Sequence, residues 1–70
     1  MKSSINEEVG FNIRRTREEQ GLSQEELAAL AGIHRVYVGQ IERGEKNIGL
    51  KNLEKIAKAL NVDMKVLLDV

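Results

Sequence analysis

Apolar residues fall at helical spacing along most of the chain. Ile5, Val9 and Ile13 recur every fourth residue, with Phe11 beside them, and predict one stripe of a helix running from Ile5 to Gln20. Gly21 is suited to end it, because glycine enters the left-handed region without a Cβ penalty. Ser23-Gln24-Glu25-Glu26 has the form of a capping box, in which the serine oxygen and the Glu26 carboxylate each accept from the other residue's backbone amide. A helix of about two turns follows, with Leu27, Leu30 and Ala31 at inner-face spacing, Leu27, Ala28 and Ala31 as the surface against the next helix, small residues at Ala28, Ala31 and Gly32 for a close crossing, and Gly32 as its stop. Ile33 is an apolar plug. His34 takes the N-cap place of a third helix over Arg35–Arg43, where Val38 and Ile41 face inward and Arg35, Val36, Tyr37, Gly39, Gln40 and Arg43 face out. After Gly44 comes a polar loop anchored by Ile48. Leu50, Leu53, Ile56, Ala57 and Leu60 mark a fourth helix, with Lys51, Lys55 and Lys58 opposite and Asn61 at its left-handed end. Asp63 caps a short fifth helix containing Met64, Val66, Leu67 and Leu68. The pattern therefore predicts an all-α, five-helix domain, with no strand alternation and no internal repeat.

Composition narrows the class. Seventy residues allow one domain, placed at residues 6–70 behind a flexible N-terminal tail at residues 1–5. Proline is absent, which suits a helical chain, and Phe11 and Tyr37 are the only aromatics, so aliphatic residues must build the core. Without cysteine there are no disulfides, thiolate metal sites or thiol chemistry. His34 is the only histidine and has no partners for a metal site. No nucleophile–base pair or phosphate-binding glycine loop appears, so neither an enzyme nor a cofactor or small-molecule ligand is expected. No apolar run reaches the roughly 18 residues of a membrane span, and no signal peptide is visible, which points to a cytoplasmic, nucleoid-associated protein. Eleven basic residues balance eleven acidic ones, so bulk charge carries no signature of a polyanion binder.

The local chemistry says more. Two short helices joined by a glycine-containing turn, over residues 23–42, form a helix-turn-helix pattern. Such a unit needs one helix whose inner side is apolar and whose outer side reaches base edges in the major groove. Arg35, near the helix start, has the fork that matches guanine O6 and N7. Val36 suits a thymine methyl, and Gln40 suits a base edge farther along. Tyr37 and Arg43 are placed for phosphates, Gln24 opens the first helix where amides favour an anion, and Lys46 and Asn47 follow in the loop. Arg14, Arg15 and Arg17 on the first helix are either solubility charges or phosphate flanks.

The run SQEELAALAGIHRVYVGQIERGEKN resembles the lambda-repressor-like DNA-binding domain, and the likeness continues through IGLKNLEKIAKALNVD. More narrowly, HRVYVGQIERGEKNIGLKNLEKIAKAL resembles the controller proteins of restriction–modification systems. The resemblance implies a compact five-helix domain and an autoregulatory homodimer binding a pseudo-palindromic operator in double-stranded DNA, with RNA polymerase as a further partner if it activates. It puts Arg35, Val36 and Gln40 at base-reading positions, and Gln24, Tyr37, Arg43, Lys46 and Asn47 at backbone positions. The chain departs from common patterns at His34, Val36 and Gly39, where relatives often carry a hydroxyl or amide side chain. The apolar excess at Val66, Leu67, Leu68 and Val70 suggests a dimer seam in the last helix. Antitoxins and phage-type repressors share the fold, and a helical protein-interaction module without DNA binding is the rival class.

Overall fold

In the computed structural model, which describes residues 4–70, the chain forms α1 (Ile5–Glu19), α2 (Gln24–Ala31), α3 (Arg35–Glu42), α4 (Leu50–Leu60) and α5 (Met64–Leu67). The all-α, five-helix expectation holds, with no strand among the described residues. The helix starts follow side-chain chemistry. At α2 the Ser23 hydroxyl accepts the Glu26 N–H at 3.0 Å, and the Glu26 carboxylate accepts the Ser23 N–H at 2.8 Å. This second contact favours the ionised form, so the Glu26 carboxyl is held below its usual range. Ser4 and Glu7 form the same reciprocal box at α1. Residues 1–3 of the expected tail lie outside the described residues, while Ser4 and Ile5 are the cap and first residue of α1. His34 caps α3 through Nδ1, which accepts the Val36 N–H at 3.1 Å. At the other ends, Gly32 and Asn61 adopt the left-handed conformation that reverses the chain after α2 and α4.

The core is aliphatic. Ile13, Leu27, Val38, Ile41, Leu53, Ile56, Leu60 and Leu67 are its largest fully buried side chains. α3 lies between α1 and α2, α4 packs against α2, and α5 closes the base against α1 and α4. Gly10 of α1 sits so close to the end of α3 that a Cβ there would meet the Ile41 carbonyl oxygen at 2.3 Å. Asn12 is buried and ties the C-terminal segment to α1, its Nδ2 donating to the Leu67 carbonyl at 3.1 Å and the Asp69 carbonyl at 3.0 Å.

Several expectations from periodicity are corrected. Leu30 points outward, 61% exposed, while Leu27, Ala28 and Ala31 are buried, as the small-residue packing surface of α2 predicts. Ile5, Phe11 and Leu50 are also exposed; Phe11 lies beneath the Arg15 guanidinium, 5.8 Å from the ring centroid. Arg17, expected on the polar face, is buried. Leu67, expected in the dimer seam, is a core residue with no exposed surface, since α5 docks through it onto α1 and α4. Val66, Leu68 and Val70 remain exposed.

Candidate nucleic-acid interface

α2 and α3 meet over an open groove of about 490 Å³. Its walls are the N-terminus of α2, with Ser23, Gln24 and Glu25, and the outer side of α3, with Arg35, Val36, Gly39 and Arg43. Of the eight side chains expected to touch DNA, four line this groove: Gln24, Arg35, Val36 and Arg43. Val36 is 54% exposed, a β-branched apolar side chain held in water beside an arginine fork, which is poor packing and good base-edge chemistry.

The groove floor is held by a buried ion pair. Arg17 of α1 donates from Nε and Nη2 to the two carboxylate oxygens of Glu42, at 2.8 and 2.9 Å, and from Nη1 to the Leu22 carbonyl at 2.8 Å. Gln24 adds a hydrogen bond from Nε2 to Glu42 Oε1 at 3.0 Å. Burial disfavours the charge on Arg17, but the bidentate bond to Glu42 outweighs it and holds the guanidinium protonated. The pair fixes α1, α2 and α3 at one point, and it fixes the amide end of Gln24 over the groove. Arg17 is therefore a structural residue rather than a solubility charge, and it also lines the groove, while Arg14 pairs with Glu18 at the exposed surface at 3.2 Å.

The remaining candidates sit beside the groove. Tyr37 is half-buried against the core, and its hydroxyl accepts from Asn52 Nδ2 of α4 at 3.2 Å. Asn52 adds a polar group to this side of the site; within a lysine-rich helix face its sequence position gave no signal. Gln40 is half-buried on α3. Lys46 and Asn47 lie exposed in the loop after α3, where the Asn47 side-chain oxygen accepts from Asn6 of α1. Gly39 lines the groove on the outer side of α3 but is itself covered; a Cβ on it would lie 3.1 Å from Arg43 Nη1 and 3.5 Å from Gln24 Oε1.

Each exposed arginine near the groove has an acidic neighbour. Arg43 donates from Nε and Nη2 to Glu45, at 2.7 and 3.3 Å, which raises the arginine's pKa and lowers that of Glu45. Arg35 Nη1 stands 3.7 Å from Glu25 Oε1. Two further acids nearby are occupied, Glu42 at the end of α3 by Arg17 and Glu26 at the cap of α2. No group of three side chains suited to holding a metal occurs among the described residues, and none of their helices is long and apolar enough to cross a membrane.

The helix-turn-helix family pattern matches residues 13–67. The control protein C.SmaI of Serratia marcescens is 45% identical over 64 residues, which cover 91% of this chain and 76% of that protein. The crystal structure of the restriction-modification controller protein C.AhdI from Aeromonas hydrophila matches with a TM-score of 0.87 at 44% identity, over 89% of this chain and 94% of that one. C.Esp1396I, solved bound to a 25 base pair operator site, matches with a TM-score of 0.85 at 37% identity, over 97% of this chain and 90% of that one. The buried scaffold, the open α2–α3 groove and these similarities together identify the chain as a member of the helix-turn-helix family of DNA-binding transcription regulators, and within it of the restriction–modification controller proteins.

Proposed function

We propose that this controller protein binds a pseudo-palindromic operator as a homodimer and regulates its own promoter region through its concentration. The observation that carries the reading is the groove in which Arg35 and Val36 of α3 stand exposed beside the N-terminus of α2. Arg35, Val36 and Gln40 read base edges; Gln24, Tyr37, Arg43, Lys46 and Asn47 hold the sugar–phosphate backbone and set the register. The amides at the start of α2 and its positive dipole end favour a phosphate next to Gln24. Val66, Leu68 and Val70, the exposed apolar residues of the last turn and C-terminal segment, supply part of the dimer seam. A two-fold dimer places its reading helices about one helical turn, roughly 34 Å, apart. The 25 base pairs of the C.Esp1396I complex span more than two turns, room for two such half-sites. Where the dimer activates, RNA polymerase is the further partner.

Selection of duplexes from a random library, with the bound species sized by sedimentation, tests this reading. A palindromic consensus bound by a dimer is expected; selection of no sequence, or a monomer at micromolar concentration with and without DNA, overturns it. Arg35→Ala on the selected duplex is expected to relax one base position at a cost of about 1–3 kcal/mol. Lys46→Ala is expected to weaken all sequences alike and lower the salt slope by about one.

A further inference from the structure

We propose that Glu25 is a specificity-determining residue: its carboxylate holds the Arg35 guanidinium over the groove and away from the phosphate backbone, committing that arginine to a base edge. The inference rests on the base-reading role of Arg35 given above. Three features of the molecule point to it.

The first is the placement of Arg35 at the start of α3, where the helix dipole disfavours a cation and where the first turn of α3 contains no acid. The compensating charge comes from another helix, as Glu25 of α2 faces Arg35 across the groove. The second is the distance. At 3.7 Å the two groups attract, but no hydrogen bond joins them, so the guanidinium keeps its donors for a partner. Arg43 differs: Glu45 takes two of its donors directly, and Glu45 does not line the groove. The third is the sign of the charge. Glu25 is the one acid among the residues lining the groove, which on this reading receives a polyanion. An acid there weakens binding to every sequence, and holding the arginine in place offsets that weakening only on a duplex that presents the right base. A carboxylate in this position therefore acts against wrong sequences more than against the right one. Without it, a long arginine at the groove's edge is free to settle on the nearest phosphate, which carries no sequence information.

The test uses the full chain and the duplex that wild-type protein selects from a random library, with a scrambled duplex of equal length as reference. Glu25→Gln keeps the side-chain length and leaves the Ser23–Glu26 cap untouched. Scrambled-duplex affinity is expected to rise about threefold to tenfold near 0.1 M salt, and the salt slope to steepen by about one. Selected-duplex affinity is expected to change less than scrambled affinity rises, so the ratio between the two falls severalfold. In an Arg35→Ala background, Glu25→Gln is expected to leave that ratio unchanged, which separates an effect through Arg35 from a general charge effect. Equal gains on both duplexes, or a fallen ratio that persists without Arg35, overturn the proposal. The melting temperature of Glu25→Gln is expected to fall by no more than a few degrees, so binding measured well below it reads folded protein. A wild-type protein that selects no duplex overturns the base-reading role itself, whereas normal selection with an unmoved ratio in Glu25→Gln overturns this inference alone.

Discussion

α2 and α3 are both eight residues long, and they are stabilised in opposite ways. α2 is locally self-sufficient. It is rich in alanine and leucine, carries Glu25 and Glu26 in its first turn where the dipole favours them, opens on a reciprocal capping box and closes on a left-handed glycine. α3 breaks those rules. It contains two valines and an interior glycine, begins with Arg35 and ends with Glu42, so both terminal charges oppose its dipole. Each misplaced charge has a counter-ion on another helix: Glu25 of α2 for Arg35, Arg17 of α1 for Glu42. α3 thus draws on its neighbours for stability, chiefly through the buried Arg17–Glu42 pair. On the base-reading role proposed above, its outer sequence is left to meet the demands of recognition.

Removing the strongest of those supports is the most direct way to break the contrast. Glu42→Ala leaves the Arg17 guanidinium buried without its carboxylate and strips Gln24 of its acceptor, a loss of about 3–5 kcal/mol. A domain of this size has on the order of 5 kcal/mol in hand, so a thermal melt followed by circular dichroism is expected to show a protein only marginally folded at room temperature, with a strongly lowered midpoint. The paired replacement Arg17→Met with Glu42→Leu removes both charges and is expected to recover most of the stability. Gly10→Ala tests the same junction from the backbone side. Its Cβ would lie 2.3 Å from the Ile41 carbonyl oxygen, so α1 must move away from the end of α3, at about 1–3 kcal/mol in a denaturant titration. No comparable clash exists at Gly49, where a Cβ meets nothing within 4 Å.

The same contrast explains what the sequence reveals. The boundaries of α2 are written in adjacent residues, Ser23, Glu26 and Gly32, and the helix-turn-helix follows from them. Arg35 and Val36 are legible as site residues because each is a poor choice for a helix in isolation. Arg17 and Glu42 are not legible: they lie 25 positions apart, and each by itself reads as a solvated charge. Glu25 is hidden for the opposite reason, since an acid in a first turn is what α2 alone would choose. The buried face of α2, Leu27, Ala28 and Ala31, is legible because small side chains suit a close helix crossing, whereas Leu30 has inward spacing but stands 61% exposed, since periodicity alone does not say how wide the packed stripe is. Asn12 and Leu67 belong to the closure of the C-terminal segment on α1, which appears only when the last helix is docked.

Smaller effects sharpen the comparison at the helix starts. Ser23→Ala removes the hydroxyl that accepts the Glu26 N–H and is expected to cost about 1 kcal/mol. His34→Ala removes the weaker imidazole cap of α3, for roughly half that. Urea midpoints of the two variants measure the difference, and a larger loss at His34 would show that α3 depends on its own cap more than on its neighbours. The Glu26 contact adds a pH dependence of defined sign. Because its folded pKa is depressed, its contribution is present above the ordinary carboxylate range and is lost as pH falls through the lower folded value. Glu26→Gln is expected to flatten that acid limb.

An effect of similar size but opposite sign separates stability from recognition within α3 itself. Gly39 is a helix-interior glycine, and replacing it with alanine is expected to stabilise the protein by about 0.5–1 kcal/mol through helix propensity. The added Cβ meets the flexible end of Arg43 at 3.1 Å, which can shift at little cost to folding. That shift displaces one group lining the groove, the Arg43 guanidinium, while the Gln24 amide at 3.5 Å stays in ordinary contact. Gly39→Ala is therefore expected to melt higher and to bind the selected duplex a few-fold more weakly, the pattern of a residue kept small for access rather than for stability. Gains in both melting temperature and affinity would show that the groove tolerates the methyl group, and that Gly39 is merely a weak point in a helix its neighbours already hold.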